Sequence, residues 1–214
     1  MSLSALLFLG SCSDDDEKPK NNPQPTLTAK LAADANFSIF VDAMERTGVD
    51  LVLDSEGSYT VFAPNDAAFE NLFTDLGVDS LGEAEAVLGT DVLENIVLYH
   101  MMETKVMADD ATTGYITTMA ENDAAYNLSA YLNAQGGIML NNISTVLNAD
   151  ITARNGVAHE VDAVIMPSSL FDLIAMNPDF TSLETSLVLA ADYLNDSLND
   201  ESKMYTIFAP DEAA

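Results

Sequence analysis

Tryptophan is absent from this chain, cysteine occurs once, histidine twice, and Lys and Arg together number 7. Each scarcity excludes something. One cysteine, Cys12, permits no disulfide within the chain. Two histidines and one cysteine fall short of a four-ligand zinc site built from those side chains. Seven cations against 35 carboxylates leave a formal charge of −28. Nucleic acid and anionic headgroups are therefore repelled, because affinity for a phosphate backbone rests on basic side chains displacing counterions. No apolar run reaches the roughly 18 residues that a membrane-spanning helix needs. A Gly-x-Ser-x-Gly elbow, a Gly-rich phosphate loop and an Asp-x-Asp-x-Asp-Gly calcium loop are all missing. Neither a cofactor nor a metal is expected.

What remains is 48% hydrophobic, enough in 214 residues for one domain of ordinary size plus a fragment. The acid is scattered along the chain, which reads as a solubilising surface suited to a medium salty enough to screen self-repulsion.

The first 25 residues read as an address. Leu3 to Gly10 form an apolar stretch of signal-peptide length, too short to span a bilayer. It runs into Leu9-Gly10-Ser11-Cys12, which resembles a lipobox, so residues 1–12 are expected to be a lipoprotein signal ending at the acylated Cys12. A core role for Cys12 is disfavoured by Ser13-Asp14-Asp15-Asp16-Glu17 behind it. That acidic run resembles the sorting signal of lipoproteins bound for the outside of a Gram-negative outer membrane. The rest of 13–25 carries Pro19, Pro23 and Pro25 among polar residues and reads as an extended tether.

Beyond the tether, Phe37, Phe40, Val41 and Met44 have helical spacing, with Asn36 as the expected N-cap and Gly48 as the stop. Ser58 to Ala63 is β-branched and aromatic, hence a strand, and Pro64 ends it. Asn65 caps a helix whose buried stripe is Phe69, Leu72, Phe73 and Leu76. A further helical region spans 81–99 with a break at Gly89-Thr90. After His100 the period shortens to two. Strands are expected at 105–107, 115–119, 126–132, 138–140, 145–147, 150–153 and 157–166, with turns at 133–137, Asn141-Asn142 and Asn155-Gly156. Helices followed by a run of strands argue an α+β domain with segregated helices.

Three motifs then carry a resemblance. Tyr59-Thr60-Val61-Phe62-Ala63-Pro64-Asn65-Asp66-Ala67-Ala68-Phe69 resembles the first signature of the fasciclin (FAS1) domain. Asn155-Gly156-Val157-Ala158-His159-Glu160-Val161-Asp162 and on to Pro167 resembles the second, and Leu98-Tyr99-His100 resembles the Tyr-His motif between them. The resemblance covers 26–167 and implies a wedge-shaped β-sandwich with helices packed around it. Thr60, Phe62, Pro64, Phe69, Asn155, Gly156, His159 and Asp162 are the motif residues expected to do structural work. Phe62 and Phe69 should point inward, and Asn155-Gly156 should supply positive φ. Val161 to Ile165 should be a central strand covered on both faces. Asp162 should accept hydrogen bonds inside it.

Past Pro167 the pattern starts again: Tyr205-Thr206-Ile207-Phe208-Ala209-Pro210 repeats the first signature 146 residues on from Tyr59. Residues 168–214 are expected to be the opening of a second, truncated copy, short of partners and weakly ordered.

Family resemblance implies an extracellular adhesion or recognition module and not an enzyme. An animal member engages integrins through an Asp-Ile pair with the Tyr-His region. The aligned positions here are Asp150, Ile151, Tyr99 and His100, with Asn148-Ala149 where that motif has Glu-Pro. The alternative for Asp150 is a turn or strand edge, and for Tyr99 and His100 a packed helix end. The expected partner is an extracellular protein, matrix or polysaccharide, with membrane attachment through the lipid only and no nucleic acid. Two other readings stand beside adhesion. One is a glycan-capture lipoprotein using Tyr115, Tyr126 and Tyr131 for stacking, and the other is a structural repeat of a stalk or matrix.

Overall fold

The structure is a computed structural model, and it describes residues 24–190, 198 and 205–213. Cys12, the leader before it and most of the tether lie outside the described residues.

Short helices come first. Helix α1 (Leu27–Ala32) is capped by Thr26, and a 3₁₀ turn at Ala35–Phe37 leads into α2 (Ser38–Thr47). Gly48 ends α2 at φ 75°, a left-handed conformation that glycine adopts without steric penalty, and α3 (Val49–Leu53) follows. Strand β1 (Tyr59–Pro64) is buried at every position. Asn65 then caps α4 (Asp66–Leu76) by accepting from the Ala68 amide at 3.0 Å. Helices α5 (Leu81–Leu88) and α6 (Thr90–Tyr99) are divided at Gly89, as the break in the sequence pattern requires.

The strands that follow are β2 (Met101–Met102), β3 (Gly114–Glu121), β4 (Asn127–Asn133), β5 (Met139–Leu140), β6 (Ser144–Ala153) and β7 (Gly156–Val161). They form one sheet in the order β2-β1-β7-β6-β5-β4-β3, with β1 and β7 parallel and every other pair antiparallel. Alternation along β1 divides the interior in two. Tyr59, Val61 and Ala63 face the helices, in a core with Phe40, Met44, Phe69 and Leu93. Phe62 faces the other way, into a cluster with Tyr99, Ala130, Leu132 and Leu140. Residues from opposite ends of the strand order meet in that second cluster, so the sheet folds over it as a sandwich. Phe62 and Phe69 both point inward, as expected, but into different cores.

Four expectations are corrected. Asn36 is not the N-cap: Asp34 caps the 3₁₀ turn by accepting from the Asn36 amide at 3.0 Å. The first turn of α2 is held from a distance, since Asp66 accepts from Ser38 Oγ at 2.7 Å and from the Ile39 amide at 2.9 Å. Residues 105–107 form no strand, because their backbone groups bond to side chains: the Val106 amide donates to Thr60 Oγ1 and His159 Nε2 meets the Val106 carbonyl. The expected pair of strands at 145–147 and 150–153 is a single β6 with register irregularities at 146–148 and 148–151.

The fourth correction concerns the second signature. Strand β7 stops at Val161 instead of continuing to Met166. Asp162 Oδ1 there accepts from the Thr145 amide at 2.6 Å, so a carboxylate takes over one rung of the ladder and the chain departs. Asp162 thus accepts a backbone hydrogen bond, as expected. Gly156 is not at positive φ. Glycine is needed because a Cβ there would lie 2.2 Å from the Tyr59 carbonyl oxygen and 2.7 Å from Leu27 Cδ1. Asn155 beside it accepts from the Leu27 amide at 2.9 Å and donates to the Leu53 and Ser55 carbonyls, joining α1, α3 and the β6–β7 turn.

After β7 come α7 (Leu170–Met176), a 3₁₀ turn at Pro178–Phe180 and α8 (Thr181–Leu189). Residues 205–210 form no strand. Helix α8 buries none of its residues.

Candidate functional site

Both histidines are interior, and both are locked by backbone. His100 Nδ1 lies 2.8 Å from the Ile96 carbonyl and its Nε2 accepts from the Ile165 amide at 3.0 Å, so the proton sits on Nδ1. Burial pushes its pKa down to about 4. His159 is the mirror case. Its Nε2 lies 3.0 Å from the Val106 carbonyl while Nδ1 accepts from the Asp150 amide at 3.2 Å, which places the proton on Nε2. Burial lowers its pKa too, against smaller opposing effects from the Val106 carbonyl and Asp150. The 3.9 Å approach of Asp150 Oδ1 to His159 Nδ1 is not an ion pair, since Nδ1 is already an acceptor. Each imidazole is a neutral bridge between two backbone groups, with no ring nitrogen left to move a substrate proton.

The bridge at His159 holds an outward feature in place. Asp150 sits at φ 62°, an uncommon conformation for a residue with a side chain, and its Oδ1 accepts from the Ala108 amide at 2.9 Å. Thr60 Oγ1 donates to the Thr104 carbonyl at 2.6 Å and accepts from Val106. Segment 104–108 is thereby pinned across β1, β7 and β6. Next to this fixed point, Ile151 is half-buried against the helix-side core, while Leu147 (56% exposed) on the irregular β6 and Ile143 (58%) in the turn before it stand in solvent. Bulges of this kind re-aim side chains and interrupt pairing. The result is a rigid ridge with apolar tips.

Among the four aligned candidates, the structure brings Asp150 and Ile151 to this ridge. Tyr99 and His100 are each 1% exposed and cannot touch a partner. Tyr99 instead donates to the Ser129 carbonyl at 2.8 Å and receives Asn141 Nδ2 at 3.1 Å. Its packed position at the end of α6 is the alternative weighed from sequence. Burial is also the main reason its pKa is raised. The three tyrosines weighed for glycan stacking do not form a platform. Tyr131 is buried, Tyr115 packs edge-on against it at 5.4 Å, and Tyr126 stands at the other end of the β3–β4 hairpin.

Sequence reasoning missed Asn141 and Asp66 as organisers. Asn141 is buried at φ 51°, where its side chain accepts from the Tyr131 amide at 2.8 Å and donates to Tyr99 and Ser168. Asn141-Asn142 was legible as a turn, but its inward hydrogen bonds had no sequence signal. Among the described residues, no group of three His, Cys, Asp or Glu side chains is placed to hold a metal ion, and no helix is long and apolar enough to cross a membrane.

The geometry agrees with what the chain is similar to. The fasciclin domain model matches residues 35–167, more than half of the chain. The chain belongs to the fasciclin family. Protein sll1483 of Synechocystis is 30% identical over 145 residues, covering 66% of the chain and 73% of that protein. The transforming growth factor-beta-induced protein ig-h3 of Sus scrofa is 31% identical over 146 residues, covering 68% of the chain but 20% of that protein. The FAS1 domain pair of the insect cell adhesion molecule fasciclin I superposes with a TM-score of 0.51 at 16% identity. That match covers 83% of this chain and 61% of the pair, and it establishes the fold alone. The chain thus spans a fifth of the ig-h3 protein and under two thirds of the insect pair. Both fasciclin signatures map onto the adjacent central strands β1 and β7, paired from Tyr59 with Gly156 to Pro64 with Val161.

Proposed function

We propose that this fasciclin domain is a cell-surface adhesion or extracellular binding module, held by a lipid on Cys12 and recognising a protein or matrix partner through the β6 ridge. The observation that carries this reading is the ridge itself. Asp150 is fixed at positive φ by the Ala108 amide and by His159, with Ile151 half-buried behind it and Leu147 in solvent just before it on β6. A pre-organised surface loses little conformational entropy on binding, which is what a contact module requires. The acidic run after Cys12 favours the outer face of an outer membrane, and the Synechocystis relative favours a bacterial source. Glycan capture is the weaker reading, since Tyr131 is buried and Tyr126 stands at the far end of the hairpin from Tyr115.

Binding of the 214-residue chain to immobilised matrix proteins, polysaccharides and whole cells tests this. Selective capture by a protein or cell surface, weakened about tenfold or more by Leu147→Ser with Ile151→Ser, is the expected result. Capture unchanged by that double variant, or capture by polysaccharide alone, refutes the ridge. In cells, Cys12→Ser should move the protein from the membrane fraction to the medium, and continued retention would refute the anchor.

A further inference from the structure

A groove runs between helix α6 and the tip of the β3–β4 hairpin, and a side-chain bridge holds it in shape. Asn95 on α6 accepts from the Glu121 amide at 3.0 Å and donates to the Glu121 carbonyl at 3.0 Å. One amide side chain thus takes the place of a neighbouring strand at the end of β3. Asn122 closes the hairpin turn by accepting from the Ala124 and Tyr126 amides, each at 3.0 Å. The backbone that carries Glu121, Asn122 and Asp123 is therefore fixed against α6.

Two bays open from this bridge, and they share Asp91, Asn95, Glu121, Asp123 and Asn127. One, of about 640 Å³, is walled in part by Val92, Leu128, Met166 and Leu170, and Leu198 and Tyr205 complete it. The other, of about 540 Å³, includes Val49, Val52, Leu98 and Met119. Val92 is 43% exposed and Val52 41%, so each bay offers an apolar side chain that the domain leaves uncovered. Between the bays the chemistry changes. Asp91, Glu121 and Asp123 lie in the shared stretch, with Glu94 and Glu103 in the second bay. No Lys, Arg or His lines either bay, and among the described residues none of these five carboxylates forms an ion pair. Like charges gathered in one groove repel, and nothing in the groove offsets them.

We infer that this groove docks a cationic amphipathic peptide segment of a partner, with Lys or Arg at its middle and apolar side chains to either side. The order follows from the groove, where acid lies between two apolar bays. Carboxylates alone would attract any cation, and on a chain of −28 they would do so anywhere on the surface. The bays make the groove selective, because they favour a partner whose apolar residues flank its charge. The acid in turn rejects acidic segments, a second copy of this chain included. No three of the described carboxylates are placed to hold a metal ion, so the positive charge comes from the occupant's own side chains. The Asn95 bridge sets the groove before docking, which keeps the ordering cost of binding low. Helix α6 and strands β3 and β4 build this surface, independently of the β6 ridge.

Titration of the 214-residue chain with two synthetic peptides, followed by amide chemical shifts, tests this. One peptide carries leucines at both ends and lysines between them. The other has the same composition with the lysines at the ends. The first should bind about tenfold more tightly and shift the amides of 91–95 and 119–123. Glu121→Gln with Asp123→Asn should weaken it about tenfold, and so should Val52→Ser with Val92→Ser. Glu70→Gln with Asp75→Asn removes the same charge from exposed positions on α4 outside the groove, and should change affinity less than about twofold. Equal affinity for the two peptides, equal loss in the two charge variants, or no loss in the valine variant overturns the groove and leaves a general acidic surface. Absence of binding by the first peptide overturns it as well. Every replaced side chain is exposed, and unchanged β1 and β7 amide shifts verify that each variant is folded.

Discussion

Two stretches of nearly the same sequence end in different environments. Tyr59-Thr60-Val61-Phe62-Ala63-Pro64 is a fully buried central strand, whereas Tyr205-Thr206-Ile207-Phe208-Ala209-Pro210 forms no strand, with Phe62 4% exposed against Phe208 at 93%. Their upstream helices differ in the same way. Helix α2 buries Phe40, Ala43 and Met44, while α8 buries nothing. Yet the carboxylate clamps on both helices are made. Glu212 is held below the usual carboxyl range by the Ser182 amide and then by the Ser182 hydroxyl, so the interaction favours its charged form. Caps and clamps need a few neighbouring groups and form locally. A strand needs a partner to pair with, and β1 obtains its long parallel ladder from β7, about a hundred residues away.

The comparison breaks most visibly at the paired phenylalanines. Phe62→Ala should cost roughly 3–5 kcal/mol in urea unfolding, the range for an emptied aromatic site in a packed core. Phe208→Ala in the same chain should stay within about 0.5 kcal/mol, as exposed substitutions do. Equal effects would mean that Phe208 is packed after all.

Acid should act on the first region through its histidines, both of which lie there, while in the second it acts on the Glu212 clamp, whose charged form is the favoured one. His100 is at about 4 when folded and returns to about 6.5 when exposed, so between those values the unfolded chain binds more protons. Its contribution is intact above about pH 6.5 and is lost as pH falls, reaching roughly 3 kcal/mol by pH 4. His159 adds a loss of the same sign. Relief of repulsion among the 35 carboxylates opposes both, so the clean reading is a difference. The pH slope of urea midpoints should flatten in His100→Gln, and an unchanged slope would contradict the buried neutral imidazole.

A smaller effect sharpens the role of the partner strand. Gly156→Ala presses a methyl into the Tyr59 carbonyl, where backbone and not a flexible side chain must yield. It should cost about 3 kcal/mol, the upper end of overpacking. Gly48→Ala meets nothing within 4 Å and carries only the left-handed backbone penalty, about 1 kcal/mol. Reversal of that order would return Gly156 to the role of a turn glycine.

Much of the fold was legible because its signals are local. The Asn65 cap, the Gly48 stop, the Gly89 break and the Asn141-Asn142 turn each follow from one or two residues and the backbone they favour. The misses share the opposite character. Asn36 lost its capping role to Asp34 and to Asp66, 27 residues past Ile39. Strand β7 ended early because Asp162 met Thr145, and the periodicity of 157–166 contains no trace of Thr145. At the candidate site, Asp150 and Ile151 came from a family resemblance. The left-handed backbone at Asp150 and its hold by Ala108 and His159 had no sequence signature.

By itself, the sequence determined composition-level facts and local geometry. These include an acidic surface, no disulfide, helices before strands, capped and stopped where single residues dictate, and one signature written twice. Tertiary structure decided which copy of that signature becomes a strand, which of Tyr99, His100, Asp150 and Ile151 reach the surface, and why Gly156 must be glycine. The physical reason is range. Capping and turn preferences act over about four residues, whereas burial and strand pairing depend on groups brought together from distant parts of the chain.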